Sequence, residues 1–246
     1  MTVSTDLVSF WEMNEASGNA PDEEGSNNLA DNNTVGSDTG NTYATARDLE
    51  RDNSEFFSIS SNSDFDLSTT SYTWMFWLKP ESFPGSMYIL NKSLLGAQSS
   101  ADYRLQTVGT GTTLSYYIGD GTNQEKIDVG TLATGEWSLS IFGYDSTSDE
   151  MFASFNGSSL QTVSPSFSRR NQNIQINFGA LIPSFTSGFD GLMGPVALWH
   201  KSLSNSEIKW LYNLGKGRTY TEVVNYTPLD VEQNFYNVNR HLILGN

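Results

Sequence analysis

The chain contains no cysteine among its 246 residues, so neither disulfides nor thiolate metal sites are available and the fold must hold by packing alone. Basic residues are scarce, 13 Lys and Arg against 28 Asp and Glu, and the net charge of −15 is spread without a long single-sign block. Such a surface repels phosphate backbones, which argues against a nucleic-acid partner. No apolar run approaches the ~18 residues of a membrane span, and Met1 to Asp6 is too short and polar for a secretory leader, so no membrane partner is expected. The expected location is the cytoplasm at first, or the outside by a route that the sequence does not display. His200 and His241 are the only histidines, and neither has a second histidine or an acidic residue at metal-ligand spacing. There is no Gly-x-Ser-x-Gly elbow, and Trp210 stands where Gly215-Lys216-Gly217 would need the upstream glycine of a phosphate-binding loop. No catalytic residue is assigned, and no enzyme is expected.

Aromatic residues are plentiful by contrast, with 6 Trp, 11 Tyr and 14 Phe, and large rings between stacked sheets supply much buried area. Leu7 to Met13 and Phe56 to Ile59 read as strands, and Tyr72 to Leu78 is apolar on both alternating sets of positions, as in a strand buried on both faces. Trp74 and Trp77 fall on opposite faces of it because their separation is odd. Leu114 to Ile118 and Lys126 to Val129 flank Asp120-Gly121, a hairpin signal. Trp137, Leu139 and Ile141 alternate with serines in a half-buried pattern, and Ile174, Ile176 and Phe178 alternate in the same way. Met151 to Phe155 runs into Asn156-Gly157, the strongest two-residue turn signal present. Asn14 to Thr42, rich in Asn, Asp, Gly, Ser and Thr, reads as a long loop region at one rim. Near the end Val196 to Trp199 is a short apolar strand. A short helix follows, with Ser204 and Glu207 in the capping-box relation and Gly215 suited to a left-handed stop. Many strands and one convincing helix predict an all-β fold of two stacked antiparallel sheets.

The order of these pieces resembles a known family. Leu7 to Trp11, Asn14 to Gly18, Asp22 and Gly25 match its beginning, and Ser54 to Ile59 matches its next strand. Phe189-Asp190-Gly191, Val196 to Trp199, Leu203-Ser204, Glu207-Ile208 and Leu211-Tyr212-Asn213 with Gly215 and Gly217 match its close. Together they resemble a laminin-G-like, concanavalin A-type jelly roll, the superfamily of pentraxins and legume lectins. The resemblance implies a two-sheet sandwich over residues 1–220 with one short C-terminal helix, followed by a C-terminal tail at 221–246. It also implies a rim calcium held by the aspartate at Asp22, although the Asp-Glu pair expected to help is replaced by Gly194-Pro195. Asp31 to Gly36 begins like an EF-hand loop but places Val35 at a ligand position and Thr42 where a bidentate glutamate belongs. Glycoside hydrolases on this sandwich use a Glu-x-Asp-x-x-Glu strand, and the string itself occurs at Glu50, Asp52 and Glu55.

The tail is too apolar for a disordered linker and needs a surface to cover, either its own sandwich or a neighbour. Phe235, Tyr236, Leu242, Ile243 and Leu244 are the expected assembly contacts. The functional expectation is a non-catalytic binding module for glycans or another cell-surface polymer. Its expected setting is a virion surface or decoration protein that meets other virion proteins or itself through the tail, of the kind found in bacteriophage structural proteins. The alternatives are a bacterial surface or secreted carbohydrate-binding module and, last, a glycoside hydrolase.

Overall fold

A computed structural model describes residues 2–93, 98–182 and 187–227. Among them are fifteen strands: β1 Leu7–Trp11, β2 Ala30–Asn32, β3 Gly36–Thr39, β4 Thr45–Leu49, β5 Phe56–Ile59, β6 Tyr72–Pro80, β7 Tyr88–Ser93, β8 Ala101–Thr107, β9 Thr113–Gly119, β10 Gln124–Thr131, β11 Ser138–Asp145, β12 Glu150–Phe155, β13 Gln161–Val163, β14 Ile176–Phe178 and β15 Gly191–Trp199. Two short α-helices follow, α1 Asn205–Tyr212 and α2 Tyr220–Val224. The strands form the expected two antiparallel sheets. One has eight strands in the order β13-β12-β11-β6-β15-β4-β3 with β1 also on β15, and the other has seven in the order β10-β9-β8-β7-β14-β5-β2.

Strand β15 is the spine of the larger sheet. It pairs with β6 on one side and, end to end, with β4 at Gly191–Met193 and β1 at Val196–Trp199 on the other. The register shifts between Met193 and Val196, where Pro195 has no amide to give the ladder. Between the sheets lies an aromatic core. Trp74 stacks on Trp11 at 6.2 Å and on Phe65 at 6.3 Å, and Phe178 meets Trp11, Trp74 and Phe76 within 6.1 Å. Each such pair contributes about 0.5–1.5 kcal/mol beyond its buried area.

The larger sheet is also covered on its outer face, which alternation alone did not reveal. Leu139 and Ile141, the apolar set of the half-buried pattern, join Met75, Trp77, Phe152, Ala197 and Trp199 under Leu203, Ile208, Leu211 and Val223. Phe142 and Tyr144 take the inner positions, so β11 is buried on both faces rather than half-buried. Trp74 and Trp77 do lie on opposite faces, both buried, and Trp77 stacks on Tyr212 of α1 at 6.1 Å.

Two helical details differ from expectation. Asn213, not Gly215, is the left-handed residue that caps α1, at φ 48, and Leu214 and Gly215 continue at positive φ. Leu214 is 91% exposed there. Helix α2 was not foreseen, although Thr219 and Glu222 repeat the capping box of Ser204 and Glu207. It carries residues 221–224 of the expected tail onto the body, where Val223 is fully buried and Tyr226 meets Trp210 at 4.4 Å. Phe235, Tyr236, Leu242, Ile243 and Leu244 lie outside the described residues.

The polar segment between β1 and β4 is held by one buried cation. Arg47 has no solvent-exposed side-chain surface. Its guanidinium donates to the carbonyls of Gly18 at 2.7 Å, Val35 at 2.7 Å and Gly36 at 3.1 Å, and it faces Asp31 at 3.4 Å and the Phe57 ring at 4.7 Å. Asp31 in turn accepts the amides of Gly18 and Val35. Around this knot the expected loop contains two short strands, β2 and β3, one at the edge of each sheet. Arg47→Met strands Asp31 and three carbonyls, and is expected to cost about 3–5 kcal/mol. Urea unfolding measures this, and a loss below about 1 kcal/mol, the level of an exposed ion pair, would show that the knot is dispensable.

Candidate functional site

A concavity of about 810 Å³ lies at one end of the larger sheet. Its walls are the β11–β12 hairpin, the start of β13, residues 70–71, Asp6 and the turn His200 to Glu207 that joins β15 to α1. That turn is fixed from below. Leu203 is buried in the outer core, and its amide donates to Thr73 Oγ1, which itself donates to the Lys201 carbonyl. Lys201 Nζ donates to Glu207 Oε1 and to the Thr2 carbonyl, both at 2.7 Å. The Glu207 carboxylate receives the Ser204 amide and hydroxyl as well, so the helix cap and the groove wall are one network.

Across the groove, Asp145 accepts the Thr147 amide at 2.8 Å and the Ser202 hydroxyl at 3.1 Å. Burial pushes the Asp145 carboxyl up, but these donors outweigh it and hold the pKa below the ordinary carboxylate value. Ser71 and Ser146 hydroxyls pair at 2.8 Å, and the Leu160 amide donates to Asn205 at 2.9 Å. Phe152, Leu160 and Leu203 supply apolar surface. Lys201 is neutralised by Glu207, leaving Asp6, Asp145 and Glu150 to set the sign of the groove. His200 presents its Nε2 to the Asp64 carbonyl at 2.8 Å. Hydroxyls, amides and carboxylates over an apolar floor suit a polyhydroxylated ligand and oppose an anionic one.

Asp22, the residue expected to hold calcium, is buried and otherwise employed. Its Oδ1 accepts the amides of Phe10 at 2.9 Å and Glu24 at 3.2 Å, and its Oδ2 that of Asn27 at 3.0 Å. It organises the loop after β1, and Gly194-Pro195 forms the irregular step in β15. Among the described residues Asp22 belongs to no group of three His, Cys, Asp or Glu side chains placed to share a metal ion. The single such group is elsewhere, Asp48, Glu50 and Glu81, with ligand atoms within 4.8 Å of one another. Burial first, and then the neighbouring Glu81 and Glu50, push Asp48 up to about 6. Sequence spacing could not reveal this cluster, because Glu81 follows β6 and Asp48 lies in β4, two strands apart across β15. The groove residues were equally hidden, being hydroxyls and carboxylates scattered from Asp6 to Glu207.

The family model described as "Concanavalin A-like lectin/glucanases superfamily", a laminin-G type, matches residues 38–209. No curated protein matches by sequence. Among solved structures, the binding domain of Paraclostridial Mosquitocidal Protein 1 is similar with a TM-score of 0.71 at 14% identity, over 86% of this chain and 53% of that one. The binding domain of botulinum neurotoxin DC in complex with rat synaptotagmin II gives 0.65 at 12% identity, over 86% and 52%. Domain 4 of AbnA, a GH43 extracellular arabinanase from Geobacillus stearothermophilus, in complex with arabinotriose, gives 0.60 at 16% identity, over 83% and 97%. The chain thus spans about half the length of the toxin binding domains, 53% and 52%, and the likeness is one of fold.

Two pH experiments follow. Burial raises the Glu207 pKa, but Lys201 and Ser204 donate more strongly and depress it below 4.5, so its contribution is present above that value and lost as pH falls through the folded pKa. The stability gap between wild type and Glu207→Gln, read from thermal unfolding, should be full at pH 7 and close toward pH 3. Asp48 has the opposite sign: charging it on the way up through about 6 costs folded-state stability. Asp48→Asn should therefore raise the melting temperature at pH 7.5, with the gain gone below 3.8, the ordinary value. A gain independent of pH would show that charge is not its cause.

Proposed function

The chain belongs to the concanavalin A-like lectin/glucanase superfamily, and from that premise we propose that it is a non-catalytic binding module that holds a glycan in the groove between the β11–β12 hairpin and the Ser202 to Asn205 turn. The observation that carries this reading is the convergence of hydroxyls and uncompensated carboxylates over Phe152, Leu160 and Leu203 in one concavity. Carboxylates accept paired sugar hydroxyls, and their sign selects neutral or amino sugars over sialylated or uronic ones. The arabinanase domain in complex with arabinotriose supports a glycan ligand on this fold. The synaptotagmin complex supports the broader statement that a related sandwich can take a protein. The Glu-x-Asp-x-x-Glu string of hydrolases on this sandwich occurs at Glu50, Asp52 and Glu55, but here it lies on the 3-10 turn Arg51–Asn53 between β4 and β5 and not along a strand, which supports binding without turnover.

The finer setting within this reading is a virion surface, with the apolar residues Phe235, Tyr236, Leu242, Ile243 and Leu244 as the contact to other particle proteins or to a second copy. Their composition supports it. Mass spectrometry of purified particles tests that setting, and absence from virions removes it.

A glycan array at matched calcium and chelator concentrations tests the binding itself. The expected result is retention of neutral or amino glycans, no retention of sialylated or uronic ones, and loss of binding in Ser202→Trp, which fills the groove. Uniform absence of binding, or a preference for anionic glycans, would overturn the reading.

A further inference from the structure

A second groove, of about 450 Å³, opens beside the first. It lies at the edge where β2 closes the seven-stranded sheet, and every side chain lining it is uncharged, in a chain of net charge −15. Its amides are fixed in place. Asn62 Nδ2 donates to Asn27 Oδ1 at 2.8 Å, and Asn27 Nδ2 donates to Ser9 Oγ and to Asp64 Oδ2, both at 2.9 Å. Asn28 uses its Oδ1 to take the Asp22 amide at 2.8 Å, and Ser60 is exposed at the mouth. Preset amides and hydroxyls with no charge suit sugar hydroxyls and offer no purchase to an ionic ligand.

One short turn touches a lining residue of each groove. The short turn Ser63–Phe65 stands between them, with Asn62 Oδ1 accepting the Asp64 amide. On one side His200, a lining residue of the larger groove, contacts the Asp64 carbonyl at 2.8 Å. On the other, Asn27 of the smaller groove donates to the Asp64 carboxylate. Asp64 thus links a lining residue of each groove, and the neighbouring Asn62 and Ser63 are exposed.

We propose that the two grooves are consecutive subsites of one path that takes a linear, uncharged polysaccharide, the chain crossing the turn at Ser63. This rests on the glycan reading of the larger groove and adds to it polymer length and neutrality. A fragment that reaches both grooves engages the second at high effective concentration, so affinity rises with length until both are filled and then levels off.

The test is calorimetry on the full chain with neutral dextran, arabinan and mannan and their fragments of about two to about ten sugars. The expected result is one-to-one binding in which the longest fragments bind roughly tenfold or more tighter than the shortest. In Ser60→Trp, and separately in Asn28→Ala, the ratio of long-fragment to short-fragment affinity should fall toward one, while Ser202→Trp should weaken every length. Equal affinity at all lengths overturns the shared path and leaves the single-groove reading standing. A length gain that survives both Ser60→Trp and Asn28→Ala also overturns it, because the added contacts then lie elsewhere. Failure of all these polymers and fragments to bind overturns the path and the neutral-glycan reading beneath it.

Discussion

The constraint on which the rest depends is that the larger sheet is apolar on both of its faces. Its central strands, β6 and β15, alternate large side chains on each side, so a sandwich with the smaller sheet can satisfy only half of them. The other half has to be roofed, and the turn at His200 with α1 and α2, joined by Val3 near the N-terminus, is that roof. The groove exists because the roof is shorter than the sheet. Where α1 stops short of the β11–β12 hairpin, polar residues line a gap above Phe152 and Leu160.

Loops without disulfides need other tethers, and here buried ions serve. Arg47 gathers the segment between β1 and β4 through its carbonyl contacts. Asp102, also buried, performs the same task for the approach to β14, drawing in Arg170 at 3.1 Å, the Gln172 amide at 2.6 Å and, from β7, Lys92 at 3.5 Å. Burial of such charges is costly in itself, and their value lies in fixing one loop arrangement among many. A polar rim can then be rigid enough to recognise a ligand while its surface remains Asn, Ser and Asp.

How much of this the sequence disclosed depends on range. Strands with clear alternation, such as Ile176–Phe178, and the capping box at Ser204 and Glu207 were legible because their signals are local. β2, β3 and β4 were not, since Ala30–Asn32 and Gly36–Thr39 hold no apolar pattern and owe their form to Arg47 and to pairing with β5 and β4. The outward orientation of Leu139 and Ile141 was hidden for a related reason: alternation tells which residues share a face, and only tertiary context tells which face meets which partner. Asp22 was singled out as a calcium ligand, and in the structure its carboxylate serves three backbone amides. The grooves themselves have no linear signature, because serine, asparagine and aspartate in a loop look alike whether or not they converge.

The hairpin tip from Ser146 to Ser148 borders the larger groove and joins β11 to β12, yet all three residues are exposed. This separates two evolutionary pressures on one protein. Residues that roof the sheet, such as Leu203 and Glu207, are tied to folding and tolerate little drift, whereas the tip can exchange composition and length without disturbing the strands beneath it. On the proposed glycan reading, swapping a few amino acids at the tip changes the groove's preference, which makes that tip the natural place for an engineer to graft a different one.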